Sequence, residues 1–124
     1  MPRKILLVDD SSTALMMATM ILSKRTKHEL ITATDGEEAI QKAAAEIPDL
    51  ILMDVVMPNK NGFQACREIR SNTKTAHIPV ILVTTRGEEE CVEIGFESGC
   101  NDYITKPINA QELVLVVESY LAEK

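Results

Sequence analysis

A chain of 124 residues is the size of one domain and is long enough to bury a real core. With hydrophobic residues at 45% and charged residues at 26%, it has the make-up of an ordinary soluble globular protein. A formal net charge of −6 argues against a nucleic-acid surface, which needs a basic patch.

Arg3 and Lys4 precede the run Ile5-Leu6-Leu7-Val8, too short for a signal-peptide core or a membrane span, so a cytoplasmic location is expected. Lys4 to Val8 reads as a first strand ending at Asp9-Asp10. Ser11 or Ser12 then caps a helix to about Arg25, with Leu15, Ala18, Ile21 and Leu22 three and four apart on its apolar face. Met16, Met17 and Met20 widen that stripe and are expected to fill the core. Lys24, Arg25 and Lys27 suit the negative end of the helix dipole.

Glu29 to Thr34 reads as a second strand, Asp35-Gly36 as a turn, and Glu37 to Ile47 as a second helix stopped by Pro48. Leu50 to Met53 follows as an apolar run without a polar gap. Such a run, set between Pro48 and Pro58, reads as a strand buried on both faces, and it ends at the carboxylate of Asp54. Asn59-Lys60-Asn61-Gly62 is a loop, and Phe63 to Arg70 a third helix with Phe63, Cys66 and Ile69 inward.

Pro79 to Thr84 is a fourth strand, ending at Thr84-Thr85. A fourth helix over Glu88 to Ser98 is weak in propensity, with Gly95 inside it and Gly99 as its C-cap. Asp102 to Thr105 is a short fifth strand ending at Lys106-Pro107. Asn109 caps a final helix to about Ala122, whose buried stripe is Leu113, Val116, Val117, Tyr120 and Leu121, with Val114 and Leu115 extending it into an apolar surface. Five strands alternating with five helices predict a doubly wound α/β fold, a five-stranded parallel sheet with helices on both faces. No linker or composition shift divides residues 1–124. Cys66, Cys91 and Cys100 are odd in number and lack a Cys-x-x-Cys spacing, which suits packing roles in a reducing compartment. His28 and His77 each lack a second ligand at metal spacing.

Polar residues collect where the strands end: Asp9, Asp10, Asp54, Thr84 and Lys106. In an open parallel sheet, ligands bind outside the carboxyl ends of the strands. Three crowded carboxylates cannot all stay ionised without compensation, and a hard divalent cation such as Mg²⁺ supplies it. Lys106 adds a second positive charge, and the Thr84 hydroxyl can donate to an anion. A metal, a lysine and a hydroxyl around a carboxylate are what phosphoryl transfer to that carboxylate requires.

Val8-Asp9-Asp10-Ser11, Leu52-Met53-Asp54-Val55-Val56-Met57-Pro58-Asn59-Lys60-Asn61-Gly62, Val83-Thr84-Thr85 and Tyr103-Ile104-Thr105-Lys106-Pro107 closely resemble the receiver domain of two-component response regulators, in order and spacing and over essentially the whole chain. The resemblance implies a CheY-like flavodoxin fold with sheet order 2-1-3-4-5. It makes Asp54 the acceptor of a phosphoryl group from a histidine kinase or a phosphotransfer protein. Asp10, Asp54 and the Val56 carbonyl would bind Mg²⁺ directly, and Asp9 mainly through water. Lys106 would contact the phosphoryl group, Thr84 would be the switch hydroxyl and Tyr103 its aromatic rotamer partner. The Lys106-Pro107 peptide is expected to be cis. Thr85 stands where many members have Ala, and Val56 and Arg86 occupy positions that tune dephosphorylation.

By the same resemblance the protein is a phosphoacceptor regulator rather than an enzyme, promoting only its own phosphorylation and dephosphorylation. The expected partners are the phosphodonor and a downstream effector protein, with no direct nucleic-acid or membrane contact, and the expected state is a monomer or weak dimer. Residues of a DNA-binding or enzymatic output domain are not among the 124, so output through protein contacts is expected. The alternative is a receiver module that binds partners without phosphorylation. A flavodoxin-type carrier is disfavoured because Asp9-Asp10 would repel an FMN phosphate. A dehalogenase-like phosphatase would carry a second Asp where Val56 stands.

Overall fold

The computed structural model describes residues 3–57, 59–85, 94, 96–106 and 108–122. Five strands, β1 (Lys4–Val8), β2 (Glu29–Ala33), β3 (Leu50–Asp54), β4 (Val80–Thr85) and β5 (Asp102–Lys106), form one sheet in the order β2-β1-β3-β4-β5. Every pairing is parallel. Parallel neighbours need crossovers, and helices supply them. Among the described residues these are α1 (Ser12–Arg25), α2 (Gly36–Glu46) and α3 (Gly62–Ser71); a further helix, α4 (Ala110–Leu121), follows β5.

Alternate strand residues face opposite sides of the sheet, which gives two cores. Leu6, Val8, Ile51, Met53, Val80 and Leu82 pack with Ala39 and Ala43 of α2 and with Ala65, Cys66 and Ile69 of α3. Ile5, Leu7, Leu50, Leu52, Ile81, Val83 and Ile104 pack with Ala18 and Leu22 of α1 and with Leu113, Val117 and Leu121 of α4. β3 is buried along its whole length, from Leu50 to Asp54. Its apolar run is continuous because helices cover both of its faces.

Each of these four helices follows a strand, α3 after a longer loop than the others, and each start is held by a side-chain cap. Ser11 Oγ accepts from the Ala14 amide at 3.2 Å, and Asp35 Oδ1 from the Glu38 amide at 2.8 Å. Asn61 and Gln64 cap α3 reciprocally, at 2.9 and 3.0 Å. Asn109 Oδ1 accepts from the Glu112 amide at 3.0 Å. The caps turn the chain sharply at the C-terminal edge of the sheet, where the strand-end carboxylates stand.

Four departures from the sequence reading have physical causes. Met16, Met17 and Met20 do not fill the core; they are 62%, 57% and 49% exposed. At a helix period of 3.6 they fall on the arc opposite Ala18 and Leu22, which face the sheet. α2 ends at Glu46 rather than Ile47, and Ile47 caps it in the left-handed region, at φ 46 and ψ 63. The residue before a proline is pushed out of the right-handed helical region, so Pro48 ends the helix one residue early. Asp35-Gly36 is a helix cap and first helical residue rather than a free turn. Four helices rather than five stand among the described residues, because the predicted helix over Glu88 to Ser98 lies mostly outside them. Ile94, Phe96 and Glu97 of that stretch are helical, and Gly99 follows at φ 101 with its amide donating to the Phe96 carbonyl at 3.1 Å. Arg86, Cys91 and the Lys106-Pro107 peptide also lie outside the described residues. Among those described, no helix is long and apolar enough to cross a membrane.

Candidate phosphoacceptor and metal site

Strand register builds the site. Val8 pairs with Met53, so Asp9, one residue beyond β1, comes level with Asp54, the last residue of β3. Asp54 pairs with Val83, which puts Thr84 one step further along β4, and Thr84 and Thr85 pair with Thr105 and Lys106. Residues 52 positions apart in sequence are thereby brought into contact: Lys106 Nζ lies 3.2 Å from Asp54 Oδ2. The same ammonium lies 3.4 Å from Asp9 Oδ2.

The remaining carboxylate oxygens are held by backbone. Asp9 Oδ1 accepts from the Ser11 amide at 2.9 Å, and Asp54 Oδ1 from the Val55 amide at 2.9 Å. Asp9 and Asp54 are each 8% exposed, whereas Asp10 is exposed. Asp9, Asp10 and Asp54 each offer an oxygen, and these three atoms lie within 4.8 Å of one another.

The electrostatics follow from crowding. Burial pushes the Asp54 carboxyl above the ordinary carboxylate range and the Asp9 charge adds to this, while Lys106 and the Val55 amide pull it back. For Lys106, burial works against the ammonium, but the Asp54 and Asp9 carboxylates outweigh it and raise the group. One ammonium offsets only one of three carboxylates, so the cluster keeps an excess of negative charge. The donor set is all oxygen, which fits a hard divalent cation of the Mg²⁺ kind rather than a soft metal.

Thr84 is buried at 4% exposure on the strand beside Asp54, and Tyr103 on β5 is 40% exposed. The Tyr103 ring meets Phe96 edge-on, with centroids 6.2 Å apart and planes at 84°. Val56 follows the site with its side chain 66% exposed. His28 lies away from this edge: its Nδ1 accepts from the Arg3 amide at 2.9 Å and its Nε2 faces Glu118 Oε1 at 2.6 Å. Sequence reasoning did not single out Gly62 or the contacts of Asp35 with Asn59. A glycine just after a strand-end loop was the available signal for the first. A Cβ at Gly62 would stand 2.6 Å from the Asp54 carbonyl oxygen, so α3 starts against the backbone of the candidate acceptor itself.

Comparison with known proteins gives a consistent result. The family described as the response regulator receiver domain matches residues 5–118. Protein PilH of Pseudomonas aeruginosa is 40% identical over 119 residues, which is 96% of this chain and 98% of that protein. The alkaline phosphatase synthesis transcriptional regulatory protein PhoP of Bacillus subtilis is 37% identical over 98% of this chain, which spans only 49% of PhoP. Among solved structures, the receiver domain of the Pseudomonas aeruginosa sensor histidine kinase PA1611, crystallised with a magnesium ion in its active site cleft, superposes with a TM-score of 0.90. It is 28% identical and covers 99% of this chain and 100% of its own. The Vibrio cholerae chemotaxis protein CheY4 superposes with a TM-score of 0.89 at 30% identity, covering 97% of this chain and 99% of its own.

Proposed function

The chain belongs to the response regulator receiver family, and on that premise we propose that Asp54 accepts a phosphoryl group from the phosphohistidine of a histidine kinase or phosphotransfer protein, in a Mg²⁺-dependent reaction. One observation carries this reading: a strand-end carboxylate stands 3.2 Å from a lysine ammonium beside two further carboxylates. An Asp54 oxygen attacks the phosphorus in line, the phosphorus–nitrogen bond to the imidazole breaks, and the imidazole leaves with that electron pair. The product is an acyl phosphate on Asp54.

Asp10, Asp54 and the Val56 carbonyl would hold Mg²⁺, with Asp9 acting mainly through water. A cation there would set positive charge against the phosphoryl oxygens, over which the transition state spreads negative charge. Lys106, already aimed at Asp54 from β5, would keep a donor on the incoming group. Asp9, fixed by the Ser11 amide, holds Lys106 from a second direction. The Val55 amide orients the Asp54 carboxylate. Burial limits competing water at the acceptor.

Output is proposed to run through Thr84 and Tyr103. If the buried Thr84 hydroxyl turns to bond the phosphoryl group, the space it leaves admits the Tyr103 ring, and the surface around Phe96 and Tyr103 changes for an effector protein. The reading of a phosphorylation-independent module is not favoured, because none of the Asp9, Asp10, Asp54, Thr84 and Lys106 set is missing. The test is incubation with acetyl phosphate and Mg²⁺, followed by intact-mass spectrometry. One phosphoryl group is expected, removable by hydroxylamine and absent from Asp54→Asn. Full labelling of that variant would place the acceptor elsewhere, and no labelling of the wild type would favour the phosphorylation-independent reading.

A further inference from the structure

The described residues of the loop after β3, Val55 to Met57 and Asn59 to Asn61, are gripped at both ends. At one end Gly62 donates its amide to the Val55 carbonyl at 2.8 Å, and the missing Cβ lets it lie against the Asp54 backbone. At the other end the first turn of α2 takes hold. Asn59, in the left-handed region at φ 68, donates from Nδ2 to Asp35 Oδ2 at 2.7 Å. Lys60 Nζ stands 3.5 Å from Glu37 Oε2 and also pairs with Glu68 of α3. Gly36 is buried under this loop, and a Cβ there would fall on the Lys60 carbonyl oxygen. The two backbones touch at a spot where only glycine fits.

Asp35 divides its carboxylate between two tasks. Oδ1 caps α2 through the Glu38 amide, and Oδ2 receives Asn59. The loop so held carries Val56. A backbone carbonyl has no side-chain torsion with which to adjust, so its place relative to a cation is set by the loop alone. Mg²⁺ tolerates little error in ligand placement.

We propose that Asp35 and Asn59 are positioning residues: their hydrogen bond holds the loop after the phosphoacceptor, and so sets where the Val56 carbonyl stands relative to Asp10 and Asp54. This rests on the reading of that cluster as a Mg²⁺ site. Asn suits the role, since it tolerates positive φ and supplies the amide that Asp35 receives.

The test uses two variants of the full chain. Asn59→Gly keeps a residue at ease with φ 68 and deletes the amide. Asp35→Ser keeps a capping oxygen for α2 but has none left for Asn59. Mg²⁺ is titrated by calorimetry, and melting is followed separately without metal. Each variant is expected to raise the Mg²⁺ Kd about three- to ten-fold, less than the loss typical of groups bonded directly to a ligand. The double variant should be no worse than the weaker single, because both remove the same bond. Metal-free melting should stay within about 2 °C of wild type in all three. Wild-type affinity in both singles, with Asp10→Asn still losing Mg²⁺, would overturn the positioning role while leaving the metal site standing. Losses that multiply in the double variant, or that track a lower metal-free melting temperature, would also overturn it. A wild type that binds no Mg²⁺ would remove the site reading and this proposal together.

Discussion

Asp54 meets two opposed demands. In the proposed role it must be ionised to attack phosphorus, yet burial and the Asp9 charge push its pKa up in the folded state. A carboxyl raised on folding lowers stability once it ionises. That loss is absent below the unfolded pKa and grows as pH rises through the folded one. Asp54→Asn is therefore expected to melt about 3 °C or more above wild type at pH 7 without metal. The gain should shrink as the pH is lowered toward 4, and saturating Mg²⁺ should narrow it by stabilising the wild type. Melting curves at the two pH values check this, and an unchanged or lower melting temperature at pH 7 would show that the Lys106 pairing outweighs the crowding. The cysteines present the opposite case. Burial first, and the nearby Cys66 next, push the Cys100 thiol up to about 11, and burial also raises Cys66. Both are packing groups that stay protonated, as their spacing suggested.

At the scale of elements, the helix starts are well made and one helix end is strained. Ser11, Asp35, Asn61 and Asn109 each satisfy an amide of the first turn, and each is of a residue type that caps well. Ile47 closes α2 at φ 46, although a β-branched side chain is poorly suited to that region. Ile47 is 39% exposed, so burial of its side chain offsets that strain only in part. Replacing it with glycine removes the Cβ clash. Ile47→Gly is expected to stabilise the protein by about 1 kcal/mol, after allowing for the extra freedom glycine brings to the unfolded chain. Urea unfolding followed by circular dichroism measures this. Equal or reduced stability would mean that contacts of the Ile47 side chain exceed the backbone strain.

At the scale of the molecule, the proposed switch links the acidic edge, the proposed metal site, to a surface on β5. Thr84 is buried, whereas Tyr103 is partly exposed with its ring against Phe96, which is itself 48% exposed. Leu115 of α4 is 64% exposed, so the apolar surface expected of the final helix is in part open, with Val114 only partly buried. The proposed phosphorylation of Asp54 would add about two negative charges beside Lys106 and Thr84. Chemical shifts on adding a stable phosphoryl mimic are expected to change at the metal edge and at Tyr103 in the wild type. In Thr84→Ala they are expected to change at the metal edge alone. Changes that spread to Tyr103 equally in the variant would remove Thr84 from the switch, and changes absent from Tyr103 in both would remove the switch itself.

The alternation of strands and helices was legible in the sequence, as were the strand-end positions of Asp9, Asp54, Thr84 and Lys106 and the helix caps Ser11 and Asn109, though not Asp35 and Asn61. These are local properties: an apolar run, a 3.6-residue stripe and a capping oxygen three residues from an amide are all written in neighbouring residues. What Met16, Met17 and Met20 face was not legible, because an apolar residue on a helix is buried only if another element covers that arc, and among the described residues none does. The 3.2 Å approach of Lys106 to Asp54 came from the register of β3, β4 and β5, which is set by side chains interlocking across two cores. The contact of Asn59 with Asp35, 24 residues earlier, was hidden for the same reason. Each residue advertises only a turn or a cap, and it takes the packing of α2 against the loop after β3 to make one answer the other.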